Sequence, residues 1–211
     1  MQDLPRCPRC KRRFSINLGC MRFASSSIAL NLFAVAFLSA QTGNRKLEPN
    51  PYSPPADTSI KLDNHTITIE YNAPSARGRK VEGGLIPYDN WWRLGADSAT
   101  TLTSEADLTI GGVHVPKGVH TLYLLGSESA VSRFTPLAMV VHWVLIVNKQ
   151  TGQWGTEYNE AQDLGRTEMK VTKLDKPVET LKITLTSSAA KAGKLEIEWG
   201  KSRGEVPLKL R

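Results

Sequence analysis

Hydrophobic and polar residues alternate in short segments along most of the chain, a pattern that predicts β-strands. Residues 67–71 (ITIEY) alternate with a period of two and end at Ala73-Pro74. Turn residues such as Gly, Pro and Asn separate the segments, and no convincing amphipathic helix is present. The other strand-like segments are residues 100–103, 108–110, 113–115, 119–125, 137–147, 166–174, 178–185, 194–199 and 206–210. About nine or ten short strands in one chain predict an all-β fold, an antiparallel β-sandwich with a single core.

The N-terminal segment has a different pattern, because residues 28–38 (IALNLFAVAFL) are almost entirely apolar. Arg22 and three serines precede this run, and Ser39-Ala40 follow it, which is the arrangement of a secretory signal peptide. The run is roughly half the length that a membrane-spanning helix needs. We therefore expect an exported, periplasmic or extracellular protein that is cleaved near Ala40 and has no membrane span in its mature part. Met21 would open a conventional signal peptide, so residues 1–40 are assigned to a signal segment with an over-long beginning.

Residues 41–56 (QTGNRKLEPNPYSPPA) are rich in proline and polar residues, and we expect a flexible tether there. The sandwich domain is then expected over residues 57–211. Residues 1–40 carry six basic residues and one acidic residue, which leaves 21 basic and 19 acidic residues in the rest of the chain. The excess of basic residues therefore lies mainly in the predicted signal segment, and nothing in the mature chain predicts a nucleic-acid partner.

Residue types that would support catalysis or metal binding do not form a recognisable motif. Cys7 and Cys10 form one half of a zinc site without a second half, and the mature part has no cysteine. Gly200-Lys201-Ser202 resembles the end of a phosphate loop, but the glycine required five positions earlier is Leu195. His114 and His120 flank a predicted turn and lack an obvious third ligand. We therefore predict no metal, no cofactor and no catalytic residue.

Cationic and aromatic side chains are concentrated between residues 71 and 101. Arg77 and Arg79 would point to the same side if residues 76–81 were extended, with Trp92 and Arg93 following. Two interpretations stay open. Either the arginines pair with Glu82, Asp89 or Asp97 and form a structural clamp, or they form a binding site for an anion or a sugar with tryptophan as a stacking surface.

Several blocks of the sequence together resemble the uncharacterised bacterial family known as domain of unknown function 2911. These are PSARGRKVEGGLIPY, WWRLGADSATTL, LTIGGVHVPKGVHTLYLL, WVLIVNKQTGQWG and LEIEWG, and they occur in the family's order between about residues 54 and 210. The resemblance implies an exported β-rich domain without an established activity. It also implies recurrent positions, which are Arg77, Gly78, Arg79, Trp92, Arg93, Gly95, Ala96, Thr100, Gly118, Tyr123, Asn148, Trp154 and Gly155. Trp154 therefore joins the candidate ligand-binding residues Arg77, Arg79, Trp92, Arg93 and Asp97.

One departure from the family pattern affects the strand assignment. Residues 130–142 (AVSRFTPLAMVVH) look like an insertion, so two starting points stay open for the strand that contains WVLIVNK, one at residue 137 and one at Trp143. The leading functional hypothesis is a non-enzymatic cell-envelope module that binds a small anionic ligand, a carbohydrate or an envelope protein. The alternative is a hydrolase of unrecognised type that uses acids such as Asp97 or Glu82 with a histidine.

Overall fold

The computed structural model describes residues 50–130 and 139–211, and nearly all of its regular structure is β. The alternating segments form strands because every second side chain can then enter one core. A short 3-10 helix at Glu160–Gln162 is the one helical element of the described residues. The strands are β1 (Pro55–Leu62), β2 (His65–Asn72), β3 (Asn90–Trp92), β4 (Thr100–Ser104), β5 (Leu108–Ile110), β6 (Val113–Val115), β7 (Gly118–Ala130), β8 (Met139–Asn148), β9 (Asp163–Ala189) and β10 (Ala192–Leu210).

The strands form one antiparallel hydrogen-bonded path, in the order β1-β2-β4-β7-β8-β9-β10-β5-β6, with β3 added beside β7. This path folds over a shared core. The outer strand β1 packs along β9, where the Leu185 N–H donates to Thr58 Oγ1 at 3.1 Å. At the other end of the path, Val113 of β6 packs against Gly165 of β9. The predicted all-β, antiparallel fold is confirmed.

The core combines side chains from both halves of the folded sheet. Ile67 and Ile69 of β2 and Leu122 of β7 lie in the same buried cluster as Ile197 and Trp199 of β10. Burial of these side chains is the main stabilising term, at about 25 cal/mol per Å² of apolar surface removed from water. The cluster extends over the described part of the chain as one unit, as expected for a single β domain.

Strands β9 and β10 are longer than the sequence predicts, because each joins two segments that were expected to be separate strands. Residues 166–174 and 178–185 both lie in β9, and residues 194–199 and 206–210 both lie in β10. The β9–β10 register shifts around Gly200, which pairs with Val178, whereas Ser202 pairs with Lys173. The apparent breaks are thus β-bulges, which bend a strand without ending it.

The beginning of the domain lies earlier than expected. Strand β1 starts at Pro55, inside the segment that was predicted to be a tether. The Asn72 side chain donates to the Ser53 carbonyl, and the Ala73 N–H donates to the Pro54 carbonyl, both at 2.9 Å. Residues 50–56 therefore belong to the fold. The rest of the predicted tether and the predicted signal segment lie outside the described residues.

Part of the apparent insertion belongs to strand β8. This strand starts at Met139, between the two starting points that the sequence left open, and it pairs with β7 as far as Ala130↔Met139. The added residues thus lengthen the β7–β8 hairpin on both of its strands. The remainder of the insertion, residues 131–138, lies outside the described residues. Over the described ranges, no helix has both the length and the apolar character required to cross a membrane.

Candidate functional site

The segment that contains Arg77 and Arg79 is a turn and not an extended strand. Arg77 has a φ of +51° and Gly78 a φ of +71°, so the backbone reverses at this point. Arg79 folds back on the turn, where its guanidinium donates to the Ser75 and Ala76 carbonyls, each at 2.9 Å. Arg77 instead extends over the ring of Tyr52, 4.1 Å from the centroid. The premise that both arginines point to one side is therefore wrong.

Trp92 of β3 lies on the core side of the sheet. Its ring stacks on Trp199 of β10, with centroids 5.3 Å apart and planes inclined by 19°. The Trp199 indole N–H donates to the Glu179 carbonyl at 3.0 Å. Trp92 is partly buried against the hydrophobic core, so much of its stacking surface is already used inside the protein.

Arg93, Asp97 and Trp154 come together between the β3–β4 loop and the loop that follows β8. Ser98 bridges to Trp154, and the Gly155 N–H donates to the Asp97 carbonyl at 3.0 Å. A Cβ on Gly155 would lie only 2.5 Å from Arg93 Cδ, so the Arg93 side chain covers this glycine. The predicted residues therefore divide into a turn near Tyr52, a core stack and this loop contact.

The acids expected for the clamp bind other groups. Asp97 accepts a 2.7 Å hydrogen bond from the Asn50 side chain. Glu82 Oε1 accepts hydrogen bonds from the Lys201 N–H at 3.0 Å and from Ser202 Oγ at 2.8 Å. No carboxylate within ion-pair distance of Arg77, Arg79 or Arg93 is found among the described side chains. The arginine clamp that was considered from the sequence is therefore not formed.

Glu82 attaches the loop between β2 and β3 to the β-bulge of β10. Gly200 has a φ of +58°, a conformation that favours glycine, and a Cβ there would lie 2.9 Å from Val81 Cβ and 3.0 Å from Glu82 Oε1. The absence of a side chain at this position allows the loop to approach closely. The backbone N–H of Lys201 is then available for the Glu82 carboxylate.

A cleft of about 460 Å³ opens beside this attachment, between the extended β7–β8 hairpin and the bend of β9 and β10. Strand β8 leaves β9 after the pair Trp143↔Met169, and the cleft fills the resulting gap. We call it the valine–lysine cleft after six of the residues that line it: Val140, Val141, Val171, Lys80, Lys173 and Lys201. Val140 is 40% exposed and is one of two large hydrophobic side chains classed as exposed in the described ranges, the other being Tyr52.

The charged side chains that line the valine–lysine cleft differ in whether they have partners within the fold. Glu82 is held by two donors, as described above. Burial together with the negative charges of Glu128 and Glu82 raises the pKa of the Tyr88 hydroxyl. By contrast, Lys80, Lys173 and Lys201 have no carboxylate within 4.0 Å among the described residues. A second cleft of about 410 Å³ shares Lys80, Glu82 and Lys201 with the first, and Arg79 lines it.

A network on the outer face of the sheet was not foreseen from the sequence. The rings of Trp91, Tyr123 and Tyr158 contact one another, with centroids 4.8–5.6 Å apart. Burial and the hydrogen-bonded Asp163 carboxylate raise the pKa of Tyr158 to about 12. Arg166 donates to Asp163 and to the Tyr158 hydroxyl. These contacts hold the loop after β8 against the sheet. In the sequence, the one indication of this network was Tyr123, which the family resemblance implied to be a recurrent position.

The two histidines considered as a metal pair lie on different strands that are not neighbours. His114 of β6 is half exposed and lies 3.7 Å from Asp107, whereas His120 of β7 is buried opposite Leu102. The turn at residues 116–118 connects two parts of the sheet and is not a hairpin, because β6 pairs with β5 and β7 pairs with β4. In the described part of the chain, no group of three potential metal ligands occurs.

The hydrolase alternative gains no support from the arrangement of these side chains. Asp97 and Glu82 are both engaged in hydrogen bonds that hold loops together. Among the described residues, no histidine lines the valine–lysine cleft. His142 contacts Ser129 at 2.7 Å, but both residues are exposed on the hairpin.

The family resemblance is confirmed by comparison with known families. The family described as "Protein of unknown function (DUF2911)" matches residues 53–208, which is most of the chain. The chain belongs to this family. No curated protein and no solved structure matches it. Membership in this family assigns no activity to the chain.

Proposed function

We propose that this protein is an exported, non-enzymatic binding module of the cell envelope, and that it binds an anionic ligand in the valine–lysine cleft. The observation that carries the proposal is the unequal satisfaction of charge in the cleft. Glu82 is held by hydrogen-bond donors within the fold, whereas the three lysines have no carboxylate partner among the described residues. The lining combines these three lysines with the two glutamates Glu82 and Glu128, and an anion would offset the remaining positive charge.

The apolar part of the cleft supports a ligand with both an anionic group and a nonpolar portion. Val140, Val141 and Val171 provide an apolar wall that is open to solvent. Binding sites for small molecules commonly combine such a wall with a few converging polar groups. The arginine and tryptophan residues that were predicted as the site lie mostly elsewhere, but Arg79 lines the adjoining cleft and would extend the positive surface.

Titration with small anions tests the proposal. We would measure the thermal stability of the protein with inorganic phosphate, glutarate and glucuronate, which present a phosphate, a dicarboxylate and a sugar acid. A ligand that binds only the folded state stabilises it by about 2.7 kcal/mol at a hundredfold excess over its dissociation constant. Lys173→Gln and Lys201→Gln should each reduce this gain, and higher salt should reduce it further.

Lys191→Gln is the matched control, because Lys191 is an exposed lysine that pairs with Asp63 away from the cleft. It should leave the anion-dependent gain unchanged. If all three variants lost the same amount of anion-dependent stabilisation, the effect would depend on the overall charge of the protein and not on the cleft. The absence of any stabilisation of the wild type would contradict the proposal.

A further inference from the structure

We infer that the physiological ligand is an extended acidic peptide segment of a partner protein, which adds as a strand to the open edge of β8. This inference rests on the proposed function, because it names the ligand class of the same cleft. It starts from the way in which β8 and β9 separate. Their ladder runs from Asn148↔Asp163 to Trp143↔Met169 and is not continued in the described residues.

Beyond the pair Trp143↔Met169, β8 is paired only with β7 and β9 only with β10 in the described residues. Residues 139–142 of β8 remain paired with β7, and residues 170–173 of β9 remain paired with β10. A strand directs its backbone N–H and C=O groups to both sides. The side of residues 139–142 that faces the gap therefore carries backbone donors and acceptors without a ladder partner in the described chain, and such an edge is a template for another strand.

The β8 edge suits this role better than the β9 edge. Strand β9 becomes irregular immediately after Lys173, where its register with β10 shifts, and it then contains Pro177, which has no N–H to donate. Residues 139–142 keep a regular register with β7 throughout. Val140 and Val141 also both line the cleft.

Charge complementarity identifies the kind of peptide. The cleft beside the β8 edge is lined by the three lysines Lys80, Lys173 and Lys201 and by two carboxylates, so its positive charges are in excess. The backbone of an added peptide strand would bind the open edge, and its acidic side chains would meet ammonium groups that have no carboxylate partner in the described residues. A small anion would use the lysines alone and would leave the row of backbone groups unused.

Backbone N-methylation of a probe peptide tests the inference. The probe is an acetylated peptide that alternates valine and glutamate, titrated into the full chain by calorimetry. Methylation of either all valine nitrogens or all glutamate nitrogens removes the N–H groups on one side of the strand. Since the peptide pairs along one edge, one methylated set should bind at least about tenfold more weakly and the other should bind nearly as well as the parent.

The control peptide replaces glutamate with lysine and should not bind. Loss of binding with Lys173→Gln but not with Lys191→Gln would place the peptide in the cleft. Equal effects of the two methylated sets, or no binding of the parent peptide, would overturn the inference. If phosphate or glutarate still binds in a lysine-dependent manner, the proposed function survives that result. Self-association of the chain in competition with the peptide would assign the edge to a second copy and would also overturn the inference.

Discussion

His120 is a buried titratable side chain whose protonation should destabilise the fold. The residue is 6% exposed, and its Nδ1 has no hydrogen-bond partner among the described residues. Burial lowers the pKa of His120 below its usual value of 6.5. The unfolded chain therefore binds a proton at this position more readily than the folded protein does. The contribution of neutral His120 to the free energy of unfolding is therefore fully present above about pH 6.5, and it is lost as the pH decreases toward the lower folded-state pKa.

We predict that His120→Leu removes this acid-induced loss of stability. The free energy of unfolding of the wild type should fall as the pH decreases below about 6.5 toward the lower folded-state pKa of His120, by at most about 1.4 kcal/mol per pH unit for one proton. The variant should be nearly flat over that window, as measured by urea denaturation at several pH values. His65→Gln, which changes an exposed histidine, should retain the wild-type slope. A wild-type slope in His120→Leu would assign the effect to other groups.

The roles of single residues were the least predictable part of the site. Arg77 and Arg79 were expected on one face because a continuous strand was assumed, and the left-handed backbone at Arg77 removes that premise. Nothing local in the sequence predicts that Glu82 would bind the N–H of Lys201, more than a hundred positions away. Such contacts depend on the long-range register of the strands.

At the scale of the elements, the bulge at Gly200 positions the loop that borders the valine–lysine cleft. An alanine there would be strained by its positive φ, and its Cβ would also crowd Val81 and Glu82. Gly78 provides a matched comparison, because it has a φ of +71° and no atom lies within 4 Å of the position that a Cβ would occupy. Both glycines have a left-handed backbone, so the two substitutions carry similar backbone strain and differ in whether the new Cβ meets other atoms.

We predict that Gly200→Ala destabilises the protein by about 1–3 kcal/mol more than Gly78→Ala, because only the former forces packed atoms apart. Chemical denaturation of both variants measures the difference. The Gly200 variant should also bind the probe anions more weakly, since displacement of Glu82 changes the cleft. Equal destabilisation of the two variants would mean that the loop adapts without cost and that the bulge does not position it.

The strands themselves were largely predictable, and their boundaries were not. Alternation identifies β2 because its two faces differ in burial. Strands β9 and β10 were each divided in two because Pro177 and Gly200 commonly end a strand, whereas both residues lie here within continuous strands at bulges. The valine–lysine cleft could not be predicted, because it arises where β8 and β9 separate.

For the whole molecule, export is the proposal that comes from the N-terminal sequence. We predict that the protein recovered from the cell envelope begins near residue 41, after cleavage at Ala40. N-terminal sequencing of that protein measures the cleavage point. A chain that retains the apolar run of residues 28–38 and is found in the cytoplasm would show that the segment is not a cleaved signal.

The central claim is that the valine–lysine cleft is the binding site, and amide chemical shifts measured by NMR during titration with glutarate test it most directly. Of the residues predicted from the sequence, Asp97 and Trp154 do not line the cleft, so amides near them and amides of the cleft give separate signals. We predict that the largest shift changes occur at residues 171–173 and 201–202, and that Lys201→Gln weakens the titration. Changes centred on residues 96–98 and 153–155, or spread evenly over surface lysines, would contradict the account.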